Sequence, residues 1–281
     1  MPKKPRSAQI PVQLPPCEGP KLKLFEHHNC EIAWGPRLEG DGGDGSSTKQ
    51  GYAFRVRIKG KDYAIKVFKF YDPMAKKHIW GPLIGRDTPL NIVSYYNDPF
   101  YNECRAYGRI HEAAKSKRYK SRVTDAAVTC HGFMFLGVKD QKILEDLGID
   151  LELDKVDPLY QQGTAGGFKP RAIVKELASN EPGVGGEGLK KVLDRIVTLN
   201  GQRIYNEDIH LNNFRDGRLV DFGSSWTEPH RMLDAQKTEK AYGTRIADRL
   251  MFDEMVEKDK ISNPDKILAV HPMKLHLRRR K

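Results

Sequence analysis

Tyr205 to Trp226 read YNEDIHLNNFRDGRLVDFGSSW, and the polar groups crowded between apolar residues in this stretch organise the rest of the chain. Asp208 and Asn213 stand five positions apart, and eight positions further on comes Asp221, at the head of Asp221-Phe222-Gly223. Asn213-Phe214-Arg215 and Arg218-Leu219-Val220 read as short strands joined by Asp216-Gly217, a pair whose positive φ values suit a two-residue type I′ turn. Such a turn folds Asp221 back towards Asn213 and Asp208. Two carboxylates and an amide at one end of a hairpin make an oxygen-rich site suited to Mg2+. That hard cation takes one or two carboxylates and completes its shell with water and substrate phosphates. The chemistry this points to is phosphoryl transfer, in which a protein supplies mainly position and charge.

Upstream the pattern is rich in strands. Glu31 to Gly35 reads as a strand, followed by the glycine-rich Gly40 to Ser47, then by the alternating Tyr52 to Ile58. A tight turn at Lys59 to Asp62 leads into Tyr63 to Phe68, completing strand, glycine-rich loop, strand, turn, strand. Lys66 lies in the last of these, and the alternation leaves open which face it takes. From Pro99, FYNECRAYGRI places Glu103, Ala106, Tyr107 and Ile110 on one face of a helix that begins after a proline. Residues 127–136 read as a strand pair or one bent strand, and Arg171 to Leu177 as a further strand running into a glycine-rich linker. Gly188 to Leu199 is an amphipathic helix, and the apolar positions from Tyr242 to Val256 predict another. Residues 71–98 read as a docking insertion or simply a loop, and residues 137–170, acidic and glycine-rich, as an insertion with one short helix near Ile143 to Leu147.

Composition narrows the classes. With 38% hydrophobic and 30% charged residues, the 281-residue chain has the balance of a soluble globular protein with room for one large or two modest domains. No apolar run is long enough to cross a bilayer, and Met1 to Arg6 lacks the apolar core of a secretory signal, so an intracellular protein is expected. Cys17, Cys30, Cys104 and Cys130 are scattered without a CxxC pair, which predicts reduced thiols. His27, His28 and Cys30, taken with Cys17, fit no structural zinc spacing. The net charge of +11 sits mostly in the ends: Lys3, Lys4 and Arg6 at one, Lys274, Arg278, Arg279, Arg280 and Lys281 at the other. These tails are compatible with nuclear import, with loose contact to an acidic partner, or with solubility alone. Beyond them no nucleic-acid site is legible.

Taken jointly, Ala64-Ile65-Lys66, the helical Glu103, the D-x-x-x-x-N from Asp208 to Asn213, and Asp221-Phe222-Gly223 resemble the protein-kinase-like superfamily. The resemblance implies an α+β, two-lobed fold. Residues 1–20 would be a flexible basic, proline-rich arm and 21–177 an antiparallel-sheet N-lobe with one helix. Residues 178–188 would link the lobes, 189–268 would form a small, mainly helical C-lobe with the catalytic loop, and 269–281 a basic tail. It also implies an ATP- and Mg2+-dependent phosphotransferase acting on a hydroxyl. Lys66 would hold the α- and β-phosphates, Glu103 would orient it, Asp208 would accept the hydroxyl proton, and Asn213 and Asp221 would hold the metal. Gly51 stands where the last glycine of a phosphate-covering loop would stand, and backbone groups of Glu176 and Leu177 would face the adenine. His210 would either assist at the γ-phosphate or point outward.

Departures from the superfamily bear on mechanism. There is no complete G-x-G-x-x-G, and Asp41 and Asp44 would bring negative charge near the phosphates. No Ala-Pro-Glu follows Gly223. Asn206-Glu207 replaces the usual His-Arg, so switching by loop phosphorylation is not expected. Within the superfamily the chain is similar to the Fta-type subunits of the fungal inner kinetochore. The runs that carry this are Ala64-Ile65-Lys66-Val67-Phe68, Ile173-Val174-Lys175-Glu176 and Asn206 to Phe214. That likeness implies a nuclear, centromere-associated protein whose partners are other subunits of a complex, with a cytoplasmic location left open. Two functions stay open: a phosphotransferase, or a kinase-fold scaffold that binds partner proteins with nucleotide structural or absent.

Overall fold

The computed structural model describes Leu14, residues 17–38 and residues 50–270. Most of the expected arm, the glycine-rich Gly40 to Ser47 with Asp41 and Asp44, and residues 271–281 of the basic tail lie outside the described residues. Five strands form one antiparallel sheet: β1 (Ile32–Arg37), β2 (Gly51–Ile58), β3 (Lys61–Phe68), β4 (Cys130–Phe135) and β5 (Arg171–Glu176), in the order β1-β2-β3-β5-β4. The period-two pattern of β2 sends Tyr52, Phe54, Val56 and Ile58 inward and leaves Arg55 and Arg57 exposed. Lys59 and Gly60 both take positive φ, 51° and 77°, which closes the β2–β3 hairpin with Ile58 opposite Lys61.

Between β3 and β4 come α1 (Lys77–Ile84), α2 (Leu90–Asn97), α3 (Pro99–Ala113) and α4 (Lys120–Ala126). Asp98 caps α3 by accepting the Phe100 N–H at 3.0 Å, and Pro99 fills the first helical position, where no donor is missed. Helix α3 is the centre of the molecule. It lies against the sheet through Phe100, whose ring meets Phe68 at 5.5 Å, and it is enclosed from the other side by the helices beyond β5.

The segments read as insertions are structured parts of the body. Within 71–98, α1 and α2 bury Trp80 and Val93 against Met232, and Trp80 Nε1 donates to the Pro73 carbonyl at 2.8 Å. Within 137–170 lie α5 (Val138–Asp146) and α6 (Pro158–Gln162); Leu144, with Ile149 and Leu151 beside it, covers the sheet face opposite α3. Both faces of β5 are thereby buried, which is why its residues Arg171 to Lys175 are all enclosed.

Beyond β5 the chain is mainly helical: α7 (Leu189–Gly201), α8 (Arg231–Asp234) and α9 (Thr238–Lys258), with short pairings of β6 (Ile204–Tyr205) to β9 (Trp226–Thr227) and of β7 (Phe214–Arg215) to β8 (Arg218–Leu219). The β7–β8 hairpin turns on Asp216 and Gly217 at φ 53° and 69°. A side chain on Gly217 would collide with Arg195, which donates to the Gly217 carbonyl at 2.8 Å and to Asp125 at 3.0 Å, fixing the hairpin on α7 and α4. The expected α+β, two-lobed arrangement is thus present: an antiparallel sheet with α3 on one side, and a smaller, mainly helical lobe carrying the Tyr205 stretch. Among the described residues no helix is long and apolar enough to cross a membrane.

Candidate active site

Lys66 stands in the middle of β3, opposite Ala53 on β2 and Ile173 on β5, with its side chain on the face that α3 covers. Its Nζ lies 3.0 Å from Glu103 Oε2 and 2.7 Å from each carboxylate oxygen of Asp221. Lys66 is 7% exposed and Glu103 0%, so the pairing is made in a low-dielectric interior where an unpaired charge would be costly. Burial, the largest influence, pulls Lys66 down, yet the Asp221 and Glu103 carboxylates outweigh it and hold the ammonium above its ordinary value. Burial pushes Asp221 up, and Lys66 followed by Lys175 overrides it, holding the carboxylate well below the usual range.

Lys175 is the residue that the sequence reading missed. It lies on β5 opposite Ala64, ion-pairs with Glu103 Oε1, and donates to the Val220 carbonyl at 2.6 Å. The signal was a lysine directly after the apolar run Ala172-Ile173-Val174, in a strand where a buried ammonium needs an anion.

The loop below is held from α9. Buried Asp248 accepts the backbone N–H groups of Asn206 and Glu207, both at 2.8 Å, and the Asn200 amide at 2.7 Å. Glu207 adopts φ 61°, turning the chain so that Asp208 follows into the cleft. Asn206 bridges the two halves of the site: its Oδ1 accepts the Asp208 N–H at 3.1 Å and its Nδ2 donates to the Asp221 carbonyl at 2.6 Å. Asn213 Nδ2 donates to the Asp208 carbonyl at 2.8 Å. The Asp208 carboxylate is half-exposed, with His210 Nε2 at 3.6 Å.

Lys66, Asp208, His210, Asn213, Asp221, Gly51, Glu176 and Leu177 all line one cleft of 540 Å³ between the lobes; Glu103 stands behind Lys66 and does not line it. Ala53, Ala64, Val128 and Leu177 give the cleft an apolar end of the kind that accepts a planar base. Glu176 directs its carboxylate to Arg218, and its backbone N–H is taken by the Thr129 carbonyl at 2.8 Å. Gly51 opens β2 opposite Phe68, where an added Cβ would overlap the Val67 carbonyl, so a close backbone approach requires the glycine. Just before it, Gln50 donates to Ser224 Oγ at 2.9 Å and sits over Gly223, so the entry to β2 rests on the segment after Asp221.

Among the described residues no group of three or more His, Cys, Asp or Glu side chains gathers to hold a metal alone. A carboxylate at Asp221 and an amide at Asn213 are instead the small donor set that suits Mg2+ when phosphate oxygens supply the rest.

Comparison with curated proteins finds no match. Among solved structures, that of vaccinia related kinase 3 is similar at 11% identity and a TM-score of 0.35, over 77% of this chain and 54% of that one. The chain therefore spans about half the length of that kinase chain. The family described as kinetochore Sim4 complex subunit FTA2 matches residues 10–226, most of the chain, and the protein belongs to that family.

Proposed function

We propose that the cleft binds ATP, that Asn213 and Asp221 hold Mg2+ against its phosphates, and that the protein transfers the γ-phosphoryl group to a hydroxyl acceptor. The observation that carries this reading is the meeting of Lys66, Glu103 and Asp221 within 3.0 Å at the inner end of a cleft that Asp208 and Asn213 also line. In this reading Lys66 exchanges Asp221 for phosphate oxygens while Glu103 keeps its ammonium in place. Asp208, half-exposed beside His210, accepts the proton of the acceptor hydroxyl. Bound Mg2+ would neutralise charge on the phosphate oxygens. Family membership supports a nuclear setting at the centromere, with other subunits of a kinetochore complex as partners.

A second reading, a scaffold that uses the same fold to hold partner subunits, draws on the contacts of Lys66 with Asp221 and of Gln50 with Ser224. These contacts engage Lys66 and the Gln50 amide nitrogen within the protein, without a ligand.

Thermal unfolding titrated with ATP and Mg2+, on wild type and Lys66→Met, separates the two. ATP at about a hundredfold over its dissociation constant adds roughly 2.7 kcal/mol, a rise of several degrees, and Lys66→Met reduces it. ADP release in the same samples, lost in Asp221→Asn, reports transfer. No rise at millimolar ATP with Mg2+ leaves the scaffold.

A further inference from the structure

The charged groups that meet at the inner end of the cleft are two lysines and two carboxylates. Lys66 contacts Glu103 and Asp221; Lys175 pairs with the other oxygen of Glu103 and binds the carbonyl of Val220, the residue before Asp221. The charge of Lys175 therefore acts on Asp221 as well. Both lysine side chains are 8% exposed, so neither charge is spread into solvent.

The four groups sum to zero. With Lys66 as the single cation, the same inner end would be negative, and a tetra-anionic nucleotide could approach only with cations of its own. Lys175 changes this in two ways. When Lys66 turns from Asp221 to incoming phosphates, Glu103 keeps an ammonium partner and is not left as an unpaired buried carboxylate. Asp221, deprived of Lys66, still lies in the field of Lys175, which lessens its repulsion of the phosphates. Towards the mouth, among the described residues, Arg37 and Arg215 line the walls, and the acids are Asp208 and Glu176, the latter paired with Arg218.

We propose that Lys175 is a positioning residue that supplies, through Glu103 and Asp221, the positive charge that a divalent cation would otherwise have to bring to the binding step. The triphosphate of ATP then enters and stays in this cleft without Mg2+, and the metal is required for transfer alone. The inference rests on the nucleotide reading above.

Calorimetric titration of the full chain with ATP, in Mg2+ and in EDTA, tests it on wild type, Lys175→Met and Lys175→Arg. The two wild-type dissociation constants should agree within about threefold, whereas Lys175→Met should bind about tenfold or more weakly in EDTA than in Mg2+. Lys175→Arg, which keeps the charge, should follow wild type. Should Lys175→Met fail to fold, Lys175→Gln takes its place in the same buffers. Wild type that binds only with Mg2+ overturns the proposal and leaves the nucleotide reading standing. Binding in EDTA that Lys175→Met retains in full overturns the role of Lys175. No binding in either buffer removes both readings together.

Discussion

Arg105 of α3 donates a hydrogen bond to the carbonyl of Thr227 at 2.5 Å, tying the helix that carries Glu103 to the segment that follows Asp221-Phe222-Gly223. Pro229 and Glu18 offer their carbonyls to the same guanidinium, which lies 4.7 Å from the ring centres of Tyr95 and Tyr96. Asn102 to the Gly223 carbonyl at 3.0 Å and Arg109 to the Glu228 carbonyl at 2.7 Å extend the seam. The position of Glu103 is thus set by buried contacts of the fold. Arg105→Met should lower stability by about 3 kcal/mol or more in urea unfolding, because buried carbonyls lose a charged donor. A loss under about 1 kcal/mol would show that the seam does not hold α3.

Asp98 and Arg171 form a further buried ion pair, at the start of α3. Arg171 also donates to the Lys69 carbonyl at 3.0 Å and lies over the Phe100 ring at 5.2 Å. Asp98→Ala strands the guanidinium and removes the helix cap, and should cost about 3–5 kcal/mol. The double variant Asp98→Ala/Arg171→Met, with neither charge left, should cost clearly less than the sum of the singles. Additive losses in a denaturation cycle would deny the coupling.

Burial, and after it the Asp248 carboxylate, push Glu207 up from 4.5 to about 7. Between those values the folded chain holds a proton that the unfolded chain has released. The stability this confers is full below about 4.5 and is lost as the pH rises to about 7. His230 acts in the opposite sense: burial first, then Arg105, lower it from 6.5 to about 3, so stability falls as the pH drops through that range. The wild-type profile sums both. Glu207→Gln should therefore gain on wild type steadily from pH 4.5 to about 7 and level off above. A difference in urea midpoint that stays flat across this window would contradict the assignment.

Asp208 carries a half-exposed carboxylate whose backbone, not its side chain, is woven into the loop. Asp208→Asn should leave unfolding free energy within about 0.5 kcal/mol and ATP affinity nearly unchanged. ADP formation with an acceptor present should fall by about 10²- to 10⁴-fold. Transfer undiminished in this variant would assign the proton to another group.

Whatever depends on neighbours in the chain was legible from the residues alone. The alternation in Tyr52 to Ile58, the positive-φ pairs Lys59-Gly60 and Asp216-Gly217, and the proline-led start of α3 follow from side-chain period and local φ preference. The spacing of Asp208, Asn213 and Asp221 belongs with these, because a hairpin between them suffices to bring their backbones together. Tertiary structure decided the rest. Alternation has no sign in a strand covered on both faces, so only the packing of α3 shows that Lys66 faces Glu103. Lys175 reads as one more strand residue until the same glutamate is placed beside it. Asp248 sits in a helix read as core packing, yet it is the acceptor that shapes the loop before Asp208. The apolar residues of segments 71–98 and 137–170 find partners far away in sequence, Trp80 at Met232 and Leu144 on the sheet. A buried charge or an apolar face is completed by distant residues, and which distant residues meet is a property of the closed fold.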